Sequence, residues 1–489
     1  MKSRRSPRFI ATVLTVRATQ AVMRLFGLKA THFPGQLAKK LCPGFLARID
    51  KPDRIIAVTG TNGKTTVANL VADMAGKLGL SFAHNAYGSN IEEGIITALL
   101  DATTVTGRKK KELAILEIDE RVTRVVFKDL QPDYLLVTNL FRESYLRNAH
   151  GEFIYQILDD HIPASTRLIV NADDLLSSAL GRKRPHNSFG IAQLPEEETF
   201  TRNLIRDVLL CPDCGQPLTD DFIRYHHVGR SRCDACGWRS MEADYQVLAI
   251  RNSAEPDRAL AYQAITRADT LVVGHRQADG RMEEESYPFS GQTILDLYNV
   301  LAAITLFKVL GYEAAAVADA LTGLTIGKSR KEIVRVGNKT IYRMLAKGKN
   351  PIAVSRVIDA VTLFPGDIQF ILLVDTSVEK MSEEDNTAWL YDADLALLSA
   401  DSVRRIVIGG QRAEDIRLAL LLAGVPDEKI VTSRDKSQTA SLIEESPDPQ
   451  TIAILYELYS EPVSRKVTRD LKDRLARPLL HQGDSRHED

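Results

Sequence analysis

The chain has 489 residues and a net charge of −1, with 44% hydrophobic and 26% charged residues. This length fits about three domains, the composition is that of a soluble globular protein, and the near-zero net charge gives no overall attraction to nucleic acid. A membrane-spanning helix is not expected, because the sequence contains no run of about 18 uncharged apolar residues.

Residues 1–50 are predicted to be helical. Their basic start and apolar run resemble a signal peptide, but Arg17 interrupts the run and no small-residue cleavage site follows. Six apolar residues are predicted to share one helix face: Ile10, Val13, Leu14, Ala21, Leu25 and Leu28. The helix either packs on its own protein or rests, as a basic amphipathic helix, on an anionic membrane surface. The second alternative would bring a cytoplasmic protein to the inner face of the membrane.

A phosphate-binding loop is predicted after the apolar, β-branched run Ile55–Val58, which reads as a buried strand. The segment after the loop has apolar residues at helical spacing, so backbone N–H groups and a helix N-terminus would face an anion. Lys64 can reach the β- and γ-phosphates of a nucleotide, and the Thr65 hydroxyl can bind Mg²⁺. Val58 stands where the first Gly of the general Walker A pattern belongs. The predicted nucleotide-binding residues are Gly60, Thr61, Asn62, Gly63, Lys64, Thr65 and Thr66.

Strand-like runs alternate with helical ones along the rest of the chain, which predicts a mainly parallel sheet covered by helices. The expected division is a helical segment over 1–50, an ATP-binding domain over 51–315 and a smaller Rossmann-like α/β domain over 320–480. A polar tail over 481–489 is predicted to be disordered.

A Cys-rich insertion is predicted over residues 205–245. Cys211, Cys214, Cys233 and Cys236 form two Cys-x-x-Cys pairs, each followed by Gly. This spacing is typical of a tetrahedral zinc ribbon, and because four Cys ligands leave no open position, the role is structural. The fifth cysteine, Cys42, is expected to be a small buried residue rather than a nucleophile.

Carboxylate and amide side chains follow the later strands. Glu117 ends an apolar strand, and if that strand neighbours the phosphate-loop strand, its carboxylate would lie where Mg²⁺ needs one. The alternative is a surface salt-bridge cluster. Thr138 and Asn139 end the next strand in a similar position. Asn171–Asp174 ends the one after, and either contacts the nucleotide or caps a helix.

These residues resemble the Mur ligases, the ATP-dependent amide-forming enzymes of peptidoglycan synthesis. The resemblance rests on the phosphate loop Gly60–Thr66, on Glu117, and on Tyr298–Ala303, which is similar to the family's adenine-contacting segment and implies a role for Asn299. The Cys₄ insertion and the segments Thr138–Arg142, Asp385–Trp389 and Gly409–Asp415 place the resemblance in the branch that amidates lipid II.

The resemblance implies a two-step reaction. ATP would phosphorylate the α-carboxylate of D-glutamate in the lipid II stem peptide, and ammonia would attack the acyl phosphate to give D-isoglutamine. A separate glutaminase subunit of the GatD type would supply the ammonia. Asp385 would complete a catalytic triad with the partner's Cys and His, because a carboxylate orients an imidazole that activates a thiol. The alternative for Asp385 is an ordinary helix N-cap.

Two other functions remain open at the level of sequence. One is a Mur-type ligase that joins an amino acid, as folylpolyglutamate synthase does. The other is a zinc-ribbon binding protein with an ATPase switch, which would require a basic, aromatic surface on the ribbon. The ribbon does carry such residues: Arg224, Tyr225, His226, His227, Arg230, Arg232 and Trp238.

Overall fold

The computed structural model describes residues 6–28, 31–86, 89–142, 150–201, 203–326, 331–346, 350–375 and 387–476. The described chain falls into two compact units. Among the described residues, the first comprises those from 6 to 201 and from 206 to 326, and the second comprises 203–205 and those from 331 to 476. The expected tail 481–489 lies outside the described residues, and the domain limits drawn from the sequence stay predictions.

The first unit is built on a ten-stranded sheet with helices on both faces. Its helices are α1 Pro7–Leu25, α2 Phe33–Leu41, α3 Phe45–Arg48, α4 Lys64–Lys77, α5 Glu92–Asp101, α6 Thr123–Val126, α7 Gly151–His161, α8 Leu175–Arg182, α9 Tyr262–Ile265, α10 Ile294–Val309 and α11 Ala314–Leu321. Its strands are β1 Arg54–Thr59, β2 Phe82–His84, β3 Leu113–Glu117, β4 Tyr134–Val137, β5 Arg167–Asn171, β6 His186–Ile191, β7 Thr219–Tyr225, β8 Val228–Arg232, β9 Tyr245–Asn252, β10 Glu255–Ala259, β11 Thr270–Arg276 and β12 Met282–Pro288.

The strand order of the large sheet is β12-β11-β9-β6-β5-β4-β1-β3-β2, with β10 paired to β9. Pairing is parallel from β2 to β9, so the expectation of a mainly parallel sheet is confirmed for that part. The remaining edge is antiparallel, because β9, β11, β12 and β10 are joined by short connections instead of crossover helices. Strands β7 and β8 form a separate hairpin in the Cys-rich insertion.

Helix α1 packs on the first unit through a face that differs from the predicted one. Phe9, Val13 and Val16 are fully buried, and the Phe9 ring stacks on Phe45 with ring centroids 5.0 Å apart. Arg17 donates to the carbonyls of Leu100 and Thr103, near the end of α5. Of the six residues predicted to share a buried face, Leu14, Ala21, Leu25 and Leu28 are exposed. The buried face is the one that carries Phe9, Val13 and Val16, and burying these side chains favours this orientation of the helix.

The second unit contains a six-stranded sheet in the order β13-β14-β18-β15-β16-β17. The strands are β13 Lys331–Val336, β14 Lys339–Leu345, β15 Asp367–Leu373, β16 Val403–Gly409, β17 Ile430–Ser433 and β18 Gln450–Tyr456, and the helices are α12 Pro351–Thr362, α13 Ala413–Leu422 and α14 Glu461–Leu475. All pairings except β13 with β14 are parallel, as a Rossmann-like domain requires. No helix among the described residues is long and apolar enough to cross a membrane.

Candidate active site

The phosphate loop leaves β1 at the edge where β3 and β4 also end, since β1 lies between them in parallel register. Gly60 and Gly63 both have positive φ, +123° and +86°. A Cβ on Gly60 would lie 2.3 Å from Thr138 Oγ1, and one on Gly63 would lie 2.5 Å from Asn299 Oδ1. Both positions therefore require glycine, for backbone conformation and for space.

Residues that follow β4 hold the phosphate loop in place. The N–H of Thr61 donates to the Asn139 carbonyl at 2.8 Å, and the N–H of Asn62 donates to Asn139 Oδ1 at 3.0 Å. Thr138 Oγ1 donates in turn to the Asn62 carbonyl at 2.7 Å. The loop is thus fixed before any ligand binds, which lowers the entropic cost of ordering it around a phosphate.

Lys64 begins α4 and is buried together with Glu120. Its Nζ lies 3.0 and 3.1 Å from the two carboxylate oxygens of Glu120, and it also donates to the Gly60 carbonyl. A buried ammonium requires a counter-charge, and Glu120 supplies it. Sequence alone assigns Glu120 no separate role, because only the fold brings it next to Lys64, 56 positions away.

Thr65 and Glu117 meet beside the phosphate loop, as the magnesium hypothesis requires. Thr65 Oγ1 donates to Glu117 Oε1 at 3.0 Å, and Asn90 Nδ2 donates to the same oxygen at 3.0 Å. Asn85 pairs with the backbone of Glu117 through both its donor and its acceptor. Glu117 is buried, so the alternative of a surface salt-bridge cluster does not hold. A hydroxyl and a carboxylate oxygen at this spacing suit a Mg²⁺ ion.

A buried charge network includes Tyr298, which immediately precedes Asn299 in α10. Arg224, from strand β7, contacts Asp173 Oδ2 at 2.9 Å and Glu197 Oε1 at 2.5 Å, and it also bonds the Tyr298 hydroxyl. Tyr298 donates to Asp173 Oδ2 at 2.7 Å. Burial opposes the charge of Arg224, but its oxygen neighbours outweigh burial and raise its pKa well above the ordinary value. Burial likewise raises the pKa of Tyr298, which stays protonated as a donor.

The tip of the β7–β8 hairpin also contacts residues beside the phosphate loop, through His227. His227 Nε2 lies 2.9 Å from Asp174 Oδ1, and the other oxygen of Asp174 accepts the N–H of Leu140 at 2.7 Å. The His227 ring lies against Phe141, with ring centroids 4.4 Å apart, and the Phe141 N–H donates to Thr61 Oγ1 at 2.9 Å. The insertion thus reaches the phosphate loop through a continuous set of contacts.

Asp174 also caps α8, accepting the N–H groups of Leu176 and Ser177. Of the two interpretations of Asn171–Asp174, the helix cap is therefore present in the structure.

The four predicted zinc ligands converge. Their sulfur atoms all lie within 4.8 Å of one another, with Cys211 and Cys236 at 3.6 Å and Cys214 and Cys233 at 3.5 Å. Four thiolates around a tetrahedral zinc ion are separated by about 3.8 Å. The cluster therefore fits zinc, and the buried Trp238 and Leu175 pack against it. Cys42 is buried, as expected.

Two family descriptions match the chain: Mur ligase middle domain over residues 58–203, and MurT ligase C-terminal over residues 348–460. The Staphylococcus aureus protein named lipid II isoglutaminyl synthase (glutamine-hydrolyzing) subunit MurT is 26% identical over 414 residues, covering 84% of this chain and 87% of that protein. Its Streptococcus pneumoniae namesake is 25% identical over 435 residues, covering 88% and 91%.

These matches support a MurT-like, Mur ligase-like protein. A pseudomurein peptide ligase type C from Methanothermus fervidus shares this fold with a TM-score of 0.65 at 15% identity, over 88% of this chain and 81% of that one. The chain is a MurT-like, ATP-dependent ligase, and the word subunit in the names of its relatives implies that they act with a partner.

The ribbon of this Mur ligase does not present the basic, aromatic surface that a ribbon-based binding function requires. Five of the seven residues considered for that surface are buried: Arg224, Tyr225, His226, His227 and Trp238. They bind the ATPase core of their own chain, so this alternative loses its support.

Asp385 lies outside the described residues. The helical turn that follows in the chain begins at Ala388, with Thr387 at its N-cap.

Replacement of Arg224 tests the buried network. Arg224→Met would remove the closest cation from Asp173 and Glu197 and leave Asp173 with Arg230 at 3.6 Å, and we expect the first unit to lose about 3–5 kcal/mol of stability. Arg281→Met is the matched control, since Arg281 pairs with Asp279 at an exposed site and its loss should cost less than about 1 kcal/mol. Urea unfolding followed by hydrogen exchange would report the stability of each unit separately. Equal losses of stability in Arg224→Met and Arg281→Met would contradict a stabilising role for the buried network.

Proposed function

We propose that this chain amidates the α-carboxylate of D-glutamate in the stem peptide of lipid II, forming D-isoglutamine with ammonia from a glutaminase subunit of the GatD type. One observation carries the proposal: a complete phosphate loop with its Lys64, Thr65 and Glu117 lies in a chain that also matches the MurT C-terminal family. That match argues against a folylpolyglutamate synthase-like ligase, the remaining alternative.

The reaction proceeds through an acyl phosphate. A carboxylate oxygen attacks the γ-phosphorus of ATP, the bond to the β–γ bridging oxygen breaks, and ADP leaves. Ammonia then attacks the acyl carbon, phosphate leaves with the C–O bond electrons, and the amide nitrogen gives up a proton. Catalysis in the first step comes mainly from positioning and from neutralising the phosphate charge.

The residues of the site divide these tasks. The N-terminus of α4 and the N–H groups of the loop from Gly60 to Thr66 bind the phosphates. Lys64 leaves Glu120 to pair with the phosphates, Thr65 and Glu117 hold Mg²⁺, and Asn299 contacts the adenine side of the nucleotide. When bound, Mg²⁺ neutralises charge on the β- and γ-phosphates.

We also propose that Cys211, Cys214, Cys233 and Cys236 bind one structural zinc ion. The ion would fix the base of the β7–β8 hairpin, whose tip contacts Asp174 near the phosphate loop. Asp385 is proposed to orient the histidine of the glutaminase subunit.

Lys64→Ala should reduce ATP turnover by at least about 10²-fold, because it removes the cation that neutralises the phosphates. Lys77→Ala, at the exposed end of the same helix, is the matched control and should keep parental activity. Turnover is measured with the partner subunit and ammonia present. Parental turnover in Lys64→Ala, with its fold verified by circular dichroism, would rule out this phosphate-loop assignment.

One equivalent of zinc should copurify with the protein. Cys233→Ser should lose the metal and increase hydrogen exchange over 205–245, because the free energy of zinc binding in such ribbons is folding free energy. Cys42→Ser serves as the control, since Cys42 is buried away from the cluster and should leave the zinc content unchanged. Mass spectrometry that finds less than about half an equivalent in fresh protein would contradict the assignment.

Asp385→Asn should suppress glutamine hydrolysis by the complex, because an amide is nearly isosteric with the carboxylate yet cannot stabilise an imidazolium by charge. Zinc content and complex formation should stay unchanged. Free ammonia should restore amidation, since it bypasses the glutaminase and leaves the ATP site intact.

The neighbouring Asp392→Asn, seven positions along the chain, provides a control for the charge change alone. Full glutamine-dependent activity in Asp385→Asn would remove Asp385 from the proposed triad. Loss of ammonia-dependent amidation would instead place the residue in the ligase reaction.

A further inference from the structure

Helix α1 is apolar on two opposite faces, and only one of them is buried. The outer face carries Leu14, Val22 and Leu25, which are 50%, 54% and 82% exposed. Beyond the helix, Phe26 and Leu28 are 73% and 58% exposed. These five residues are called the N-terminal apolar surface below. Large apolar side chains gathered on one exposed helix face mark an interaction site, whereas single ones do not.

The charge around this surface is strongly segregated in the sequence. Of the 63 Lys and Arg residues of the chain, ten lie within residues 1–49, and none of its 64 Asp and Glu residues does. Arg24, in the last turn of α1, and Lys40, near the end of α2, are exposed. An exposed apolar helix face inside a purely basic segment is the pattern of a helix that lies in the headgroup region of an anionic membrane.

The N-terminal apolar surface is joined to the edge of the nucleotide site. The Thr31 carbonyl, in the loop between α1 and α2, accepts the Ser89 hydroxyl at 3.2 Å. Asn90, the next residue, donates to Glu117 at 3.0 Å. The loop after α1 therefore contacts, through Ser89 and Asn90, the edge of the site that holds the proposed magnesium carboxylate.

From these observations we infer that the N-terminal apolar surface docks this protein on an anionic lipid bilayer. Leu25, Phe26 and Leu28 enter the interface between headgroups and acyl chains. The exposed basic side chains of Lys40 and of Arg24, which pairs with exposed Asp101, face the anionic headgroups. The consequence for the reaction rests on the proposed function: docking would bring the site to an acceptor that is itself anchored in the membrane.

The test measures binding of the full-length chain, alone and with its partner subunit, to vesicles. One set contains phosphatidylcholine alone and the other also contains phosphatidylglycerol. We expect binding to the anionic vesicles only, weakened by salt. Leu25→Glu/Phe26→Glu should lower this binding more than about tenfold. The change removes two apolar side chains that enter the bilayer and adds negative charge, which the anionic lipids repel. Leu28→Glu, outside the helix, should also weaken binding to the anionic vesicles.

Leu418→Glu/Leu422→Glu is the matched control. These residues of α13 are 50% and 69% exposed, so the change in charge and exposure is comparable, and binding should equal that of the parent. Equal binding by the α1 variant, or equal binding to both kinds of vesicle, would overturn the inference. Loss of partner binding or of self-association in the α1 variant, with vesicle binding retained, would overturn it as well and assign the surface to a protein contact.

A second measurement separates this inference from the proposed function. Amidation of a lipid-linked acceptor in vesicles should fall in the α1 variant, whereas amidation of a soluble stem peptide should equal the parent. Equal amidation of both acceptors by the variant contradicts docking. If the parent amidates neither acceptor yet binds anionic vesicles, the proposed function fails and the docking surface stands.

Discussion

The parallel register of β3, β1 and β4 is the constraint on which the site depends. Since all three strands run in the same direction, their carboxyl ends meet at one edge, and the loop after β1 lies between Glu117 and Thr138. A phosphate loop on an isolated helix would have neither neighbour. The buried Lys64 then needs an anion at that edge, and Glu120 provides it until phosphate competes for the same ammonium. Under the proposed function, binding a nucleotide would exchange the counter-charge of Lys64, and the released Glu120 carboxylate would remain close to the reaction.

The zinc ribbon is held near the same edge of the sheet by a buried set of ion pairs. Arg224 is fully buried, and an unpaired guanidinium there would not be tolerated. Its partners are Asp173, two residues after β5, and Glu197, and these ion pairs favour the observed docking of the hairpin. Tyr298 shares Asp173 and immediately precedes Asn299, which contacts Gly63. The proposed zinc at the base of the hairpin and the proposed nucleotide at the loop would thus act on one connected set of buried polar groups, whose energies are not additive.

The features that could be predicted from the sequence are those coded by neighbouring residues. The phosphate loop and the Cys₄ cluster consist of short spacings with direct chemical meaning, and the strands beside them are apolar runs. Glu120, Arg224 and His227 could not be assigned, because each finds its partner more than 25 positions away through the fold. The antiparallel edge was missed for a similar reason: β12 contains Glu283–Glu285, so it lacks the apolar run that marks a buried strand. In α1, the spacing predicted a helix but could not select between two apolar faces.

That ambiguity in α1 has a physical origin. A helix that serves only its own core needs one apolar stripe, and a second stripe lowers solubility unless something covers it. With ten basic and no acidic residues in 1–49, the rest of the chain carries 53 basic and 64 acidic residues, a net charge of −11. An anionic surface attracts the first segment by about 1 kcal/mol per basic residue near it and repels the remainder. If the N-terminal apolar surface docks as inferred, the net basic segment would therefore meet the bilayer in preference to the net acidic remainder of the chain.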